Sequence, residues 1–311
     1  MRSTILMCCD QNFFPFALHL ALQINQKWPN RKFDISIMHL GDLEETELCE
    51  DNNIKSIPFE LPEGWSKFET SNRITIAAYM RIAAPSILSE KYDRILYLDS
   101  DIIYQRGDID ALLKLDLLGY PVAAVRDNYQ VRKLSRQVKE FKAAGLPAAP
   151  YFNSGVLLID VPAFVDQEIE AKCMSWADHD DPVIRRRHDQ SALNLALYRN
   201  WIELPISWNW PCLHKYFFFA HFAAPCFVHF ISTRKPWRDI DGIYPREYVL
   251  QYEHFLKSNF PTIAEKMPER AQASYSKLKW LLIGIRHIFD FGRFLPFLES
   301  FSHDFDIKKP D

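Results

Sequence analysis

The sequence predicts an α/β fold built around a mainly parallel central sheet. Over the first half of the chain, short apolar segments with strand character alternate with segments that show helical spacing. Strands that alternate with helices usually form a parallel sheet with helices on both faces. After about residue 205 the pattern changes to aromatic residues mixed with prolines, which indicates irregular loops. A chain of 311 residues is long enough to bury a sizeable core in one such domain or in two smaller ones.

The first helix shows how the elements are assigned. Phe14, Ala17 and Leu18 recur at helical spacing, and Pro29 lies just beyond the end of the pattern. The segment 94–98 is instead a short apolar run, which is typical of a buried strand. The same criteria predict helices at 14–27 and at 72–88, the latter capped by Asn72, and further strands at 4–9, 33–40, 54–59, 121–125 and 156–159.

The amino-acid composition argues against several classes of protein. The chain has 37 basic and 40 acidic residues, so it lacks the basic excess that is typical of nucleic-acid-binding proteins. Its six cysteines include no Cys-x-x-Cys pair, which argues against a structural zinc site. Cys8 and Cys9 lie in an apolar run, where buried free thiols are common, so we expect a reducing compartment. The apolar run 5–9 is too short for a secretory signal, and no stretch reaches the roughly 18 apolar residues of a spanning helix. We therefore expect a cytoplasmic protein that binds no nucleic acid.

Aspartates lie just after several of the predicted strands: Asp10, Asp99, Asp127 and Asp160, with Asp101 two residues beyond Asp99. Sheets of this class bind ligands at the carboxyl ends of their strands. Alternate residues of an extended segment project to the same side, where two carboxylates repel each other unless a cation lies between them. Asp99 and Asp101 therefore predict a site for a divalent metal, which prefers oxygen ligands. The alternative is a turn with two solvated aspartates.

Six short segments carry further polar residues in a fixed order over residues 5 to about 240. They are Cys8-Cys-Asp10-Gln-Asn12-Phe13, Tyr79-Met-Arg81, Tyr97-Leu-Asp99-Ser-Asp101, Tyr151-Phe-Asn153-Ser-Gly155, Asp189-Gln190-Ser-Ala-Leu-Asn194 and His229-Phe-x4-Lys235-Pro236-Trp237. Together they resemble, in order, the motifs of glycosyltransferase family 8. That family contains bacterial lipopolysaccharide galactosyl- and glucosyltransferases and, more distantly, glycogenin. The ordered set is far more specific than any single segment.

The resemblance implies a Rossmann-like GT-A fold that binds a UDP-sugar. It implies that Mn²⁺ or Mg²⁺ is held by Asp99, Asp101 and His229. The UDP moiety would contact Cys8, Asp10, Asn12, Phe13, Ile74 and Lys235. The donor sugar would contact Arg81, Asp99, Asn153, Gly155 and Asp189. Gln190 would lie nearest the anomeric carbon.

The resemblance also implies that a hexose is transferred with retention of configuration. A carboxylate such as Asp189 could form a covalent intermediate on the β-face of the sugar. The other route is front-face attack, in which the departing diphosphate takes the proton of the acceptor and Gln190 stabilises the sugar. We favour the front-face route because the residue nearest the anomeric carbon would be Gln190, and its amide is a poor nucleophile. Asp10 and Asn12 have an alternative role as caps of the helix that begins near Phe14.

Two residues depart from the family pattern. Ser191 stands where the family has a second acid, and Ser232 stands where it commonly has glycine. The donor therefore stays open between UDP-galactose and UDP-glucose. The expected acceptor is lipopolysaccharide or another cell-surface glycan, which includes lipid-linked glycans. The alternatives are a glycogenin-like or polyol-directed transferase with a soluble acceptor, a non-catalytic UDP-sugar-binding protein, and a nucleotidyltransferase, for which the expected N-terminal glycine-rich phosphate loop is missing.

The end of the chain has a distinct composition. The segment 277–297 mixes bulky apolar residues with lysine and arginine, as interfacial amphipathic helices do. The alternative is a helix that packs on the parent domain. We expect a catalytic domain at 1–245 and a helical C-terminal extension at 246–311 that contacts the inner face of the cell membrane. The arginines at 185–187 form either a solvated face or a site for a phosphorylated acceptor.

Overall fold

The structure is a computed structural model that describes residues 1–41, 43, 47–62, 65, 76–131, 133–269 and 276–309. The strands of these residues are β1 (Ser3–Cys9), β2 (Asp34–His39), β3 (Lys55–Pro58), β4 (Arg94–Leu98), β5 (Ile102–Tyr104), β6 (Val122–Arg126), β7 (Phe152–Asp160), β8 (Ile202–Leu204), β9 (Trp210–Pro211) and β10 (Phe227–His229). The helices are α1 (Phe14–Lys27), α2 (Glu47–Asp51), α3 (Ala77–Ile87), α4 (Ile109–Leu113), α5 (Asn128–Val131), α6 (Lys139–Ala143), α7 (Val161–Asp166), α8 (Ile169–Ala177), α9 (His188–Ala196), α10 (Ala220–Ala223), α11 (Arg246–Asn259), α12 (Pro261–Ala264) and α13 (Lys277–Leu298).

The central sheet has the strand order β3-β2-β1-β4-β7-β6-β8. Its neighbours are parallel except that β7 runs antiparallel to both β4 and β6, so the predicted mainly parallel sheet is confirmed. The reversal of β7 changes which of its ends faces the carboxyl ends of β1 and β4. Asn153, at the start of β7, lies at that edge of the sheet. Asp160 lies at the opposite edge, where it pairs with Arg94 at 3.2 Å.

A small second sheet has the order β5-β10-β9. Strand β10 pairs antiparallel with β5, and this register places His229 opposite Ile102. The backbone continues the pairing, because the Phe230 N–H donates to the Asp101 carbonyl at 3.0 Å. The sheet therefore brings the end of β10 next to the acidic segment that follows β4.

Most predicted elements are found with small shifts at their ends. The helix at 14–27 and the strand at 94–98 have the predicted bounds. Strand β7 begins at Phe152 rather than at 156, so the Asn-Ser-Gly segment lies inside a strand. The helix predicted at 72–88 begins within the described residues at Ala77, and Asn72, its predicted cap, lies outside them.

The C-terminal helical extension is present and packs on the rest of the protein. Tyr252 of α11 lies 4.8 Å from Trp237, measured between ring centroids. Phe294 of α13 stacks on Phe219 at 4.6 Å. After α13 the chain returns to the sheet, where Lys308 bridges to Glu203 in β8. Among the described residues, no helix combines the length and the apolar character needed to cross a bilayer. The boundary at residue 245 stays a prediction.

Candidate active site

A pocket of about 320 Å³ opens where the carboxyl ends of β1 and β4 meet the start of β7. Side chains from these strands, from α3, from α9 and from the segment after β10 line it. Most of the residues that the sequence singles out lie in this one place. They are Cys8, Asp10, Phe13, Arg81, Asp99, Asp101, Asn153, Asp189, Gln190, His229 and Lys235.

The two oxygens of Asp99 have different surroundings. Oδ1 accepts a hydrogen bond from Tyr97 Oη at 2.8 Å and lies 2.9 Å from Nη2 of Arg81. Oδ2 instead faces His229 Nε2 at 3.5 Å. The protein therefore engages one carboxylate oxygen and directs the other toward the histidine.

Asp101 completes a cluster of candidate metal ligands. Its Oδ1 lies 3.1 Å from His229 Nε2, and ligand atoms of Asp99, Asp101 and His229 all lie within 4.8 Å of one another. Burial alone raises the pKa of Asp101, but Lys235 and His229 hold the pKa of this carboxyl well below its usual range. A metal ligand must be ionised, and two carboxylates with one imidazole suit a divalent ion that accepts oxygen and nitrogen donors. The residues therefore fit a metal such as Mn²⁺.

Lys235 contacts one of the candidate metal ligands. Its Nζ donates to Oδ2 of Asp101 and, at 2.6 Å, to the carbonyl oxygen of Phe230. The ammonium group therefore neutralises one carboxylate of the acidic pair.

Gly155 lies directly behind the candidate ligands. A Cβ atom at this position would be 2.2 Å from Cε1 of His229 and 2.7 Å from Oδ2 of Asp99. Such distances are far below van der Waals contact, so the ligands occupy space that any other residue would fill. Gly155 does not line the pocket, and its contacts are with the candidate metal ligands.

Side-chain amides connect the far side of His229 to Gln190. Asn209 Oδ1 accepts from His229 Nδ1 at 2.9 Å, and Asn209 Nδ2 donates to Asn153 Oδ1 at 2.8 Å. Asn153 Nδ2 in turn donates to Gln190 Oε1 at 3.2 Å. Sequence reasoning missed Asn209, which is set between two tryptophans in an aromatic segment without a local polar pattern.

Arg81 and Asp189 form a buried ion pair beside the acidic segment. Arg81 Nε lies 3.3 Å from Asp189 Oδ2, which also accepts from Ser154 Oγ at 3.2 Å. Burial raises the pKa of Asp189, and the nearby Arg81 guanidinium opposes that shift. The buried arginine has the acidic partners expected of it, because it pairs with both Asp189 and Asp99.

Gln190 is held on both sides of its amide. In addition to the bond from Asn153, its Oε1 accepts from the Ser154 N–H at 3.3 Å. Its Nε2 donates to Asp127 Oδ2 at 3.3 Å. Asp127 is buried after β6 and was predicted only as one of several aspartates that follow strands. Its contact with Gln190 depends on the approach of α9, which the sequence pattern does not show.

Of the residues predicted at the carboxyl end of β1, some line the pocket and others do not. Asp10 Oδ1 accepts from the Phe13 N–H at 3.0 Å, so Asp10 caps the turn that leads into α1 while it also lines the pocket. Asn12 is exposed and does not line the pocket. Burial raises the pKa of Cys8 to about 12, so this thiol stays neutral at the pocket wall. Ile74, expected near UDP, lies outside the described residues.

The residues that depart from the family pattern have local roles. Ser191 Oγ accepts from the Arg187 N–H at 2.9 Å. Ser232 Oγ accepts from the Arg234 N–H at 3.3 Å, and φ of Ser232 lies outside the left-handed region. The arginines at 185–187 do not form one solvated face, because Arg187 is partly buried and lies 3.4 Å from Asp127.

The family model described as Glycosyl transferase family 8 matches residues 4–241, which include this pocket. The chain belongs to glycosyltransferase family 8. It is 32% identical over 203 residues to General stress protein A of Bacillus subtilis, a match that covers 61% of this chain and 68% of that protein. It is 28% identical over 236 residues to the lipopolysaccharide glucosyltransferase WaaO of Escherichia coli, a match that covers 74% of this chain and 69% of that protein. It spans only 44% of a further relative, the glycosyltransferase GlyF of Streptococcus pneumoniae, at 30% identity over 60% of this chain.

A solved structure of the galactosyltransferase LgtC, in complex with donor and acceptor sugar analogs, has the same fold. The TM-score is 0.64 at 20% identity, with 90% of this chain and 99% of that chain covered. The Rossmann-like GT-A fold implied for this family 8 glycosyltransferase is therefore confirmed. The chain is a glycosyltransferase by family, and its pocket carries the residues that could hold a metal and a nucleotide-sugar.

Proposed function

We propose that this family 8 glycosyltransferase transfers an α-hexosyl group, galactose or glucose, from a UDP-sugar to a glycan acceptor with retention of configuration. The observation that carries the proposal is the convergence of Asp99, Asp101 and His229 at the wall of the pocket. This cluster suits a divalent metal, and a pocket of about 320 Å³ is within the size range of small-molecule sites.

The charged groups suit a leaving diphosphate. Bound Mn²⁺ or Mg²⁺ would act as a Lewis acid on the phosphate oxygens. Lys235 lies beside the same carboxylates, and its ammonium can turn from Asp101 to a phosphate, for which lysine is a common ligand. Asp10, Cys8 and Phe13 line the pocket at the end of β1, where we place the uridine.

The contacts of Asp189 and Gln190 support front-face attack. Oδ2 of Asp189 is engaged by Arg81 and Ser154, which leaves this carboxylate less available as a nucleophile. Gln190 is fixed by Asn153 and Asp127, so its amide dipole is oriented before the sugar arrives. In this route the acceptor hydroxyl gives its proton to the departing phosphate oxygen while the new glycosidic bond forms on the same face. A glycosyl adduct on Asp189, detected by mass spectrometry, would overturn it.

The donor and the metal requirement can be tested together without a known acceptor. The native protein is incubated with a panel of nucleotide-sugars and Mn²⁺ or EDTA, and slow UDP release is measured. We expect one UDP-hexose to be consumed, and Asp101→Asn to reduce release to the level of the EDTA sample. Asp110→Asn is the matched control, because Asp110 belongs to another Asp-x-Asp pair and contacts Lys114 on the surface. UDP release that is equal with EDTA, or equal in Asp101→Asn, would contradict the proposal.

We also propose that the acceptor is a lipopolysaccharide or another lipid-linked glycan, reached at the inner face of the membrane through α13. Apolar residues at helical spacing form an exposed stripe on α13, which we call the α13 stripe: Leu278, Leu281, Leu282, Ile285, Ile288 and Phe289. Ile288 and Phe289 are 75% and 78% exposed, which is unusual for large apolar side chains on a helix that buries its opposite face. Lysines and arginines on the same helix add attraction to anionic lipids.

Liposome co-sedimentation tests this contact. The native protein is expected to sediment with vesicles that contain phosphatidylglycerol and less with vesicles of phosphatidylcholine alone. The double variant Ile288→Glu and Phe289→Glu should stay in the supernatant. Ile87→Glu is the control, because Ile87 is also an exposed apolar residue but lies at the end of α3. Equal sedimentation of the double variant and the native protein would refute the membrane role.

A further inference from the structure

Asn209 lies behind His229, on the side of the ring away from the carboxylates. It ends the 3₁₀ segment Ile206–Asn209, just before β9, and its side chain is buried. Because its Oδ1 accepts from His229 Nδ1, Nε2 is the ring nitrogen that faces the two aspartates and that a metal would bind. Histidine ligands of metals commonly depend on such a partner for their tautomer and ring orientation.

We propose that Asn209 is a positioning residue that fixes the tautomer and orientation of His229 and, through Asn153, links the metal site to Gln190. This inference rests on the proposed function, since it assigns a role at the same site. Asn209 does not contact the pocket itself; it acts on the two residues that do. No sequence motif marks it.

The residue type matches this double role. Asn209 accepts from His229 on one side of its amide and donates to Asn153 on the other. Asn153 Oδ1 also accepts from the Gly155 N–H at 3.0 Å, so its amide orientation is determined from two directions. An aspartate at 209 could accept but not donate, and a leucine could do neither. The two halves of the proposal can therefore be separated by substitution.

The backbone around Asn209 is anchored independently of the amide. Ser207 Oγ donates to Asp304 Oδ1 at 2.8 Å, and Trp208 Nε1 donates to the Asp304 carbonyl at 2.5 Å. Replacement of the Asn209 side chain therefore leaves these anchors in place. Ser207→Ala provides the matched control, because it disturbs the same 3₁₀ segment and leaves the contact between Asn209 and His229.

The experiment measures Mn²⁺ binding in the presence of UDP by calorimetry, and nitrogen coordination of Mn²⁺ by electron spin-echo envelope modulation. We expect Asn209→Leu to weaken Mn²⁺ binding by about 10- to 100-fold and to lose the histidine nitrogen signal. Asn209→Asp should keep both, because it still accepts from Nδ1, but should lower kcat for donor hydrolysis, because Asn153 loses one of the two donors that orient its amide. Ser207→Ala should match the native protein in all three measurements. If Asn209→Leu does not fold, Asn209→Ser is used in its place, because the shorter serine side chain does not reach His229 Nδ1.

The possible results distinguish a failure of the role proposed for Asn209 from a failure of the proposed metal site. Native Mn²⁺ affinity and an unchanged nitrogen signal in a folded Asn209→Leu or Asn209→Ser variant would overturn the role of Asn209 alone. Equal loss in Ser207→Ala would show a general effect of the segment and would also overturn it. Absence of Mn²⁺ coordination in the native protein would overturn the proposed metal site and this role together.

Discussion

At the scale of single residues, the candidate metal site depends on the absence of a side chain at Gly155. In Gly155→Ala, the new Cβ would lie 2.2 Å from His229 Cε1, so the imidazole or the strand must move. We expect Mn²⁺ affinity, measured by calorimetry with UDP present, to fall by about tenfold or more, as when the support of a ligand is lost.

Gly284→Ala is the control for this substitution. Nothing lies within 4 Å of the position that a Cβ on Gly284 would take, and this glycine belongs to α13, far from the site in sequence. Its Mn²⁺ affinity should equal that of the native protein. An unchanged Mn²⁺ affinity in Gly155→Ala would contradict this prediction. It would mean that His229 is not a metal ligand, or that β7 can shift enough to accommodate the methyl group without disturbing the ligands.

Part of the site could be predicted from the sequence at this scale. Asp99 and Asp101 follow a buried strand in a pattern that predicts metal binding by itself, and His229 was implied by the resemblance. Asn209 and Asp127 could not be assigned roles in the same way. Their contacts with His229 and Gln190 join segments that lie 20 and 63 residues apart, and no local spacing encodes them.

At the scale of secondary-structure elements, periodicity predicts where a strand lies but not its direction in the sheet. The apolar run within β7 was recognised, yet its antiparallel pairing with β4 and β6 depends on long connections. This reversal moves Asp160 away from the pocket and brings Asn153 into it. The strands β5 and β9 were missed because three and two residues are too short to show a period.

The packing of α1 against α11 gives a prediction about pH. His19 is buried against Tyr252 and Phe255, and burial lowers its pKa from 6.5 to about 4. Since the folded pKa lies below the unfolded one, the unfolded state binds more protons between these values. The contribution of neutral, buried His19 to the free energy of unfolding is therefore full above about pH 6.5 and is lost as the pH falls toward 4.

Urea unfolding of His19→Leu measures this contribution. Between about pH 7 and about pH 5, the variant should lose about 2 kcal/mol less of its free energy of unfolding than the native protein. His254→Gln, at an exposed histidine of α11, should lose as much as the native protein. Equal pH dependence in all three proteins would mean that His19 is not the buried neutral group described here.

At the scale of the whole molecule, the C-terminal extension is tied to the segment that carries the site. Asp304 lies 2.5 Å from Arg106 and accepts from Ser207, two residues before Asn209. The sequence pattern does not show these contacts, because the partners of Asp304 lie about 100 and 200 residues away along the chain. The same extension presents the α13 stripe, so membrane contact and donor binding would be supported by one connected region.

The most direct test of the central claim is anomalous diffraction from a crystal grown with UDP and Mn²⁺. We predict a manganese peak bonded to Asp99 Oδ2, Asp101 and His229 Nε2, at about 2.0–2.5 Å from each ligand atom. We also predict that Lys235 has left Asp101 and contacts the diphosphate. UDP bound in the pocket without manganese at these three residues, or manganese held elsewhere in the protein, would contradict the proposed site.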